Sequence, residues 1–167
     1  MKIIVHDLQQ QEFAGWVDDP NAELTVLSDN DTIRQCMGCF GCWTKTPGVC
    51  VIKDGYQNIG ELLSKCDELI IISKCMYGSY SPFILNVLNR SISYMLPYFV
   101  TKNGETHHRN RYDHQFALSV HFYGHDITEA EMGTARTLVA ANSMNLYSIG
   151  NKVYFHNSLQ NVKEAVL

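Results

Sequence analysis

The stretch LIIISKCMYGSYSP, which spans residues 69–82, decides the fold. It begins with an uninterrupted apolar run, Leu69–Ile72, of the kind found in central parallel strands that are covered on both faces. A loop rich in serine and tyrosine follows, and Ser81 with Pro82 is a typical start of a helix. The stretch therefore predicts a strand, a loop and a helix at the centre of an α/β sheet.

Strand and helix patterns alternate on both sides of this central unit. Further strands are predicted over Lys2–His6, Leu24–Ser28, Phe116–Phe122 and Val153–His156. Helices are predicted over Gln9–Asp19 (followed by a turn at Pro20 and Asn21), between Tyr56 and Cys66, from Pro82 as far as Met95, after an N-cap at Asp126 with Glu129, and over Val162–Leu167. Such alternation specifies a parallel sheet with helices on both faces. We expect one α/β domain, residues 1–167, with the flavodoxin-like doubly wound strand order 2-1-3-4-5.

The composition indicates a globular protein and argues against several other classes. Of the 167 residues, 46% are hydrophobic, which is enough to build a core. Thirteen basic and seventeen acidic residues give a net charge of −4, which argues against a nucleic-acid-binding protein. The apolar runs are far shorter than the roughly 20 residues of a membrane span, and the N-terminus lacks the pattern of a signal peptide. We therefore expect a cytoplasmic protein that does not act at a membrane.

Four of the six cysteines are crowded into one segment: Cys36, Cys39, Cys42 and Cys50. Two-residue gaps allow neighbouring thiolates to converge on one centre, and four thiolates suit a [4Fe–4S] cluster or a structural zinc ion. Because cytosolic thiols stay reduced, a disulfide framework is not the default interpretation. The simpler alternative is that these are small buried residues that pack a loop, some of them redox-active.

Ligands of doubly wound sheets bind beyond the carboxyl ends of the strands, where the winding reverses. That rule selects three loops: His6–Gln9, Ser73–Ser81 and Phe122–His125. The second loop allows a flat ligand to approach the backbone, and Tyr77 or Tyr80 can stack on its ring or hydrogen-bond its edge. The simpler alternative is an ordinary turn that only starts the next helix.

A polar and basic segment, residues 101–114, carries a second group of candidate binding residues: His107, His108, Arg109 and Arg111. These side chains can attract an anionic group or accept protons. The alternative interpretation is an exposed excursion or a contact between subunits.

Several of these stretches resemble one protein family. CMGCFGCWTKTPGVCVIKD, residues 36–54, resembles the cysteine loop of the NADPH-dependent FMN reductase and iron–sulfur flavoprotein group. YGSYSP (77–82), NRSI (89–92) and GETHHRNRY (104–112) resemble later blocks of one branch of that group. The resemblance covers the chain from about Lys2 to Tyr112.

The resemblance implies a flavodoxin-like fold that transfers electrons from NAD(P)H through FMN to a small-molecule or protein acceptor. It implies a homodimer or homotetramer with the flavin near the interface. By position, the isoalloxazine would be lined by Met76, Tyr77, Gly78, Ser79, Tyr80 and Ser81. His107 and Arg111 would face a flavin or nicotinamide phosphate, in the same or a neighbouring subunit. The four clustered cysteines would be the ligands of a [4Fe–4S] cluster.

The first loop departs from the family pattern. The family normally has a Gly-Ser-Pro-Arg stretch there, whose amides and hydroxyls hold the FMN phosphate at a helix N-terminus. This chain has HDLQQQE, residues 6–12, with no glycine, hydroxyl or arginine. Smaller departures are Leu85 and Asn89, where the branch tends to carry lysine and aspartate. Two alternatives to a flavin enzyme therefore stay open: a four-cysteine iron–sulfur or zinc protein, and a non-catalytic relative that has lost FMN and acts through oligomerisation or partner binding.

Overall fold

The computed structural model describes residues 1–17 and 23–166. The strands are β1 (Lys2–His6), β2 (Leu24–Ser28), β3 (Glu68–Lys74), β4 (Met95–Lys102), β5 (Glu105–Asn110), β6 (Ala117–Tyr123) and β7 (Gly150–His156). The helices are α1 (Gln10–Phe13), α2 (Gly41–Thr44), α3 (Ile59–Leu63), α4 (Pro82–Arg90), α5 (Glu129–Asn145) and α6 (Leu159–Val166), with a 3-10 turn over Ser91–Tyr94. None of these helices is both long enough and apolar enough to cross a membrane.

Five parallel strands form the central sheet, in the order β2-β1-β3-β6-β7. Counted among themselves, these strands have the order 2-1-3-4-5, so the predicted flavodoxin-like α/β topology is confirmed. Alternate residues of β1 enter different cores: Ile3 and Val5 pack with α3, α4 and α5, whereas Ile4 packs with Val162 of α6. Helices therefore cover both faces of the sheet.

The segment after α4 differs from the prediction. The predicted helix does not continue to Met95, because α4 ends at Arg90 and Met95 already begins β4. β4 and β5 form an antiparallel hairpin that lies outside the main sheet. Asn103 and Gly104, both with positive φ (51° and 83°), form its two-residue turn. Asn-Gly at these positions is the strongest short-range signal of a hairpin, so residues 101–114 are not a simple polar excursion.

Three helix boundaries also differ. The helix α5 starts after Thr128 rather than after Asp126, because Thr128 and Glu131 form a reciprocal capping box. The helix α1 is only four residues long, and the rest of the predicted first helix and its turn fall partly on residues 18–22, outside the described residues. The helix α6 begins at Leu159 instead of Val162, and its predicted end at Leu167 also lies outside the described residues.

Candidate functional site

The four clustered cysteines line a single cavity of about 460 Å³. Cys42, on α2, and Cys50 are buried, whereas Cys36 and Cys39 are exposed. The opposite wall comes from the last residues of α4, the 3-10 turn and the end of α5, including Asn142. The structure therefore brings together the four cysteines that the sequence singles out.

Tight backbone geometry holds the cysteine-bearing loop in shape. Phe40, the residue before α2, has a φ of 56°, a left-handed conformation that costs energy in a residue other than glycine. A side chain at Gly41 would come within 2.6 Å of Val51, so only glycine allows this close approach. The Gly48 N–H donates to the Cys42 carbonyl at 3.0 Å and folds the loop back on itself.

A buried ion pair closes the base of this loop. The Arg90 guanidinium, 1% exposed, donates to both carboxylate oxygens of Asp54, at 2.7 and 3.1 Å. It also donates to the Arg34 carbonyl at 2.8 Å and to the Ile52 carbonyl at 3.3 Å. Arg34 precedes the first of the four cysteines and Ile52 follows the last, so Arg90 holds the two ends of the loop together.

The charges of this pair are stabilised by their mutual contacts. Burial alone would raise the pKa of Asp54, but hydrogen bonds from Arg90 and from backbone N–H groups lower it to about 2. Burial alone would lower the pKa of Arg90, but the hydrogen bond to Asp54 and the negative charges of Cys50 and Asp54 raise it. A permanent cation therefore lies beside the cysteine cavity.

The thiols interact without forming a compact metal site. Burial raises the pKa of Cys42, and the charges of Cys50, Cys36 and Cys39 raise it further. Across residues 1–17 and 23–166, no three Cys, His, Asp or Glu side chains are close enough to hold a metal ion in this conformation. Cys36 and Cys39 lie on an exposed loop without regular structure, so ligation needs a further inward movement of that loop.

An aromatic rim borders the cavity. Trp43 lines it and is fixed by a hydrogen bond from its indole N–H to the Met95 carbonyl at 2.9 Å. The Trp43 ring also packs between Phe40 and His108, with ring centroids 5.5 and 4.9 Å away. This rim limits the access of water to one side of the thiols.

Two of the predicted basic residues, His107 and Arg111, form hydrogen bonds with residues that line the cysteine cavity. The imidazole of His107 bonds to Asn145 at 2.9 Å and to Glu105 at 3.0 Å. Arg111 donates to the carbonyls of Ser93 and Met95 at 3.2 and 3.3 Å. His107 thus joins the hairpin to the end of α5, and Arg111 joins the segment after β5 to the 3-10 turn and the start of β4.

The loop between β3 and α4 divides the predicted flavin residues into two groups. Met76 and Tyr77 are exposed, and Tyr77 (88% exposed) has a positive φ of 54°. Tyr80 is in the core: its ring packs on Phe122, and its hydroxyl accepts a hydrogen bond from Asn142.

The remaining predicted residues of this loop are structural in this conformation. Gly78 is buried, and a side chain there would lie 2.8 Å from the Glu131 carbonyl. Ser79 is half-buried and forms a tight turn with Met76 through two backbone hydrogen bonds of 2.9 Å. Ser81 takes the predicted N-cap position, but its buried hydroxyl has no hydrogen-bond partner among the described residues.

The first loop does not fit an FMN phosphate. The Asp7 carboxylate accepts hydrogen bonds from the Lys74 N–H at 2.8 Å and the Tyr123 hydroxyl at 3.0 Å. Asp7 therefore connects the ends of β1, β3 and β6, where the winding of the sheet reverses. The Gln9 N–H, at the start of α1, donates to the Glu12 carboxylate at 2.8 Å. Three donors at this edge of the sheet are therefore bonded to carboxylates of the chain, and the negative charge of Asp7 and Glu12 repels an anion.

The two candidate sites lie at opposite ends of α4. The helix starts at Pro82, directly after the Met76–Ser81 loop, and ends at Arg90 in the wall of the cysteine cavity. Nine helical residues separate these ends by about 13 Å.

Sequence reasoning missed Arg90 and Asp54 as parts of the site. A basic residue in the last turn of a helix usually faces solvent and complements the helix dipole. Both residues fall inside the stretches that resemble the family, but no local pattern shows that they pair across 36 positions of the chain.

No protein-family model and no curated protein matches the chain. Its function has to be inferred from the geometry of the two candidate sites.

Proposed function

We propose that the protein is an iron–sulfur redox protein built on a flavodoxin-like scaffold, with Cys36, Cys39, Cys42 and Cys50 as the cluster ligands. One observation carries the proposal: all four cysteines line the same cavity, beside the buried cation of Arg90. Four thiolates are a complete ligand set for a [4Fe–4S] cluster, and a nearby cation offsets their negative charge.

The volume of the cavity favours a cluster over a single zinc ion. Tetrahedral zinc draws four sulfurs to about 2.3 Å from one point, whereas a cavity of about 460 Å³ has room for several metal atoms. A [4Fe–4S] cluster supplies one-electron transfer when it is bound.

The residues of the chain have separate tasks in this proposal. Cys42 and Cys50 provide buried sulfurs on rigid backbone, and the exposed Cys36 and Cys39 close over them. Trp43 and Phe40 shield one side from water, which strengthens the electrostatic effect of Arg90. An external one-electron donor and a small-molecule or protein acceptor would exchange electrons at the exposed side of the loop. NAD(P)H gives up two electrons as a hydride, so it would serve as the donor only through a flavin that passes the electrons on singly.

Replacement of one ligand tests the proposal. We expect Cys39→Ser, in protein purified without oxygen, to lose most of its bound iron, since serine is a poor ligand for this cluster. Cys75→Ser is the matched control, because Cys75 is partly exposed but lies on the loop after β3, outside the cavity. Full iron retention in Cys39→Ser, or equal loss in both variants, would show that the cavity does not hold the cluster.

A flavin-dependent oxidoreductase is the second candidate. It is favoured by the exposed Met76 and Tyr77 at the carboxyl end of β3, where doubly wound folds bind ligands. Because Asp7 and Glu12 put negative charge at the first loop, such a site would hold a flavin by its ring and not by its phosphate. Assembly into a homodimer or homotetramer remains a prediction from the family resemblance.

A further inference from the structure

Arg90 has one hydrogen-bond donor that its known contacts do not use. A guanidinium carries five N–H groups in a fixed planar arrangement. Four of them donate to Asp54, Arg34 and Ile52, as described above. The fifth, Nε–H, is buried and finds no hydrogen-bond acceptor in the part of the chain that the structure describes.

The position of this donor indicates its partner. Arg90 lines the cysteine cavity, and the buried Cys50 lies beside its guanidinium. A neutral thiol is a weak acceptor, but a thiolate accepts a strong, charge-assisted hydrogen bond. The unused donor is therefore matched to Cys50 in its ionised form, which is the form that binds metal.

We propose that Arg90 is a positioning residue of the cysteine site, whose Nε–H donates a hydrogen bond to the Cys50 sulfur when that sulfur is a cluster ligand. This inference rests on the proposed function of the cavity. The other four N–H groups hold the loop ends and Asp54, so they fix the plane of the guanidinium and the direction of Nε–H.

This contact has an electronic consequence. A donor to a ligand sulfur withdraws electron density from the centre and stabilises its reduced, more negative state. The positive charge of the same side chain acts in the same direction. The bound cluster should therefore have a higher reduction potential with Arg90 than without it.

A labelling experiment tests the contact in the unchanged protein. The protein is produced with arginine as its only ¹⁵N-labelled residue, purified without oxygen, reduced with dithionite, and measured by pulsed electron paramagnetic resonance. We expect a weak ¹⁵N coupling in the spectrum of the reduced cluster. A cluster signal without any ¹⁵N coupling would overturn the role of Arg90 and leave the cluster itself intact.

A matched pair of variants assigns the coupling and tests its effect. Arg90→Lys keeps the positive charge but lacks the planar set of donors, and Arg136→Lys is the control because Arg136 is exposed on α5 and does not line the cysteine cavity. We expect Arg90→Lys to lose the ¹⁵N coupling and to have a lower midpoint potential, while Arg136→Lys keeps both wild-type values. An unchanged potential and coupling in Arg90→Lys would contradict the inference. If that variant does not fold, the labelled wild-type protein still decides the question, and a wild-type protein without a cluster signal would instead refute the proposed function.

Discussion

Asp54 and Arg90 form a fully buried ion pair on which the shape of the cysteine loop depends. Their side chains are 4% and 0% exposed, and no water can solvate a charge that loses its partner. We expect Asp54→Ala to lower the free energy of unfolding by about 3–5 kcal/mol, since it leaves the Arg90 cation buried and unpaired. Urea denaturation followed by circular dichroism measures this change.

An exposed ion pair provides the control for that variant. Lys65 and Glu61 are four residues apart, with side chains 63% and 50% exposed, and are bonded at 2.7 Å. Glu61→Ala should cost only about 0.3–0.5 kcal/mol. Equal effects of the two substitutions would mean that Asp54 does not stabilise the fold through Arg90.

His121 makes stability sensitive to acid. Its side chain is 4% exposed, hydrogen-bonds to His156 at 3.1 Å and stacks on Tyr154. Burial lowers the pKa of His121 from the ordinary 6.5 to about 4, and the charge of His156 acts in the same direction. Between these two values the unfolded chain binds a proton that the folded chain does not, so stability falls as the pH falls from 6.5 to 4. At about 1.4 kcal/mol per pKa unit, His121 accounts for a loss on the order of 3 kcal/mol.

Removal of this imidazole should make the acid dependence shallower. We expect His121→Gln to flatten the curve of unfolding free energy against pH in this window, although the buried His6, whose pKa burial also lowers to about 4, keeps part of the slope. His125→Gln changes an exposed histidine and should keep the wild-type slope. A His121→Gln curve parallel to that of the wild type would show that His121 titrates normally in the folded protein.

At the scale of single elements, the sequence predicts strands better than helix ends. The apolar run at Leu69–Ile72 is too short for a buried helix and is typical of a central strand that is buried on both faces. The start of a helix depends on a single capping side chain, which the sequence does not single out. Asp126 and Thr128 each stand three positions before a glutamate, and only the structure shows that Thr128 bonds to Glu131. Asn103-Gly104 is a hairpin signal that the sequence does contain.

The first loop and α1 determine how a flavin can bind. Asp7 is bonded to the ends of β3 and β6, and Glu12 is bonded at the start of α1, so two carboxylates oppose a phosphate at this position. If a flavin binds at the Met76–Ser81 loop, we expect riboflavin and FMN to bind with equal affinity in fluorescence titrations. Tyr77→Ala should weaken both by about 0.5–1.5 kcal/mol, the size of one aromatic contact. FMN binding at least about tenfold tighter than riboflavin would reveal a phosphate site elsewhere.

At the scale of the whole molecule, local patterns were sufficient for the topology but not for the site. Alternating strands and helices leave few arrangements of a parallel sheet, and the predicted order is the observed one. The four cysteines are visible because they are close in sequence. The cation beside them is not visible, because Arg90 reaches Asp54 only once α2, α3 and α4 have packed around the 3-10 turn. Contacts of this kind depend on tertiary packing and leave no periodic trace in the sequence.

The most direct measurement is an analysis of iron, zinc and inorganic sulfide, together with an absorption spectrum, on the full-length protein purified without oxygen and without added cofactor. We expect a brown protein with about four iron atoms and about four sulfides per chain. A colourless protein that contains zinc or no metal, or a yellow protein that contains flavin but no iron, would contradict the assignment of the cysteine cavity as an iron–sulfur site.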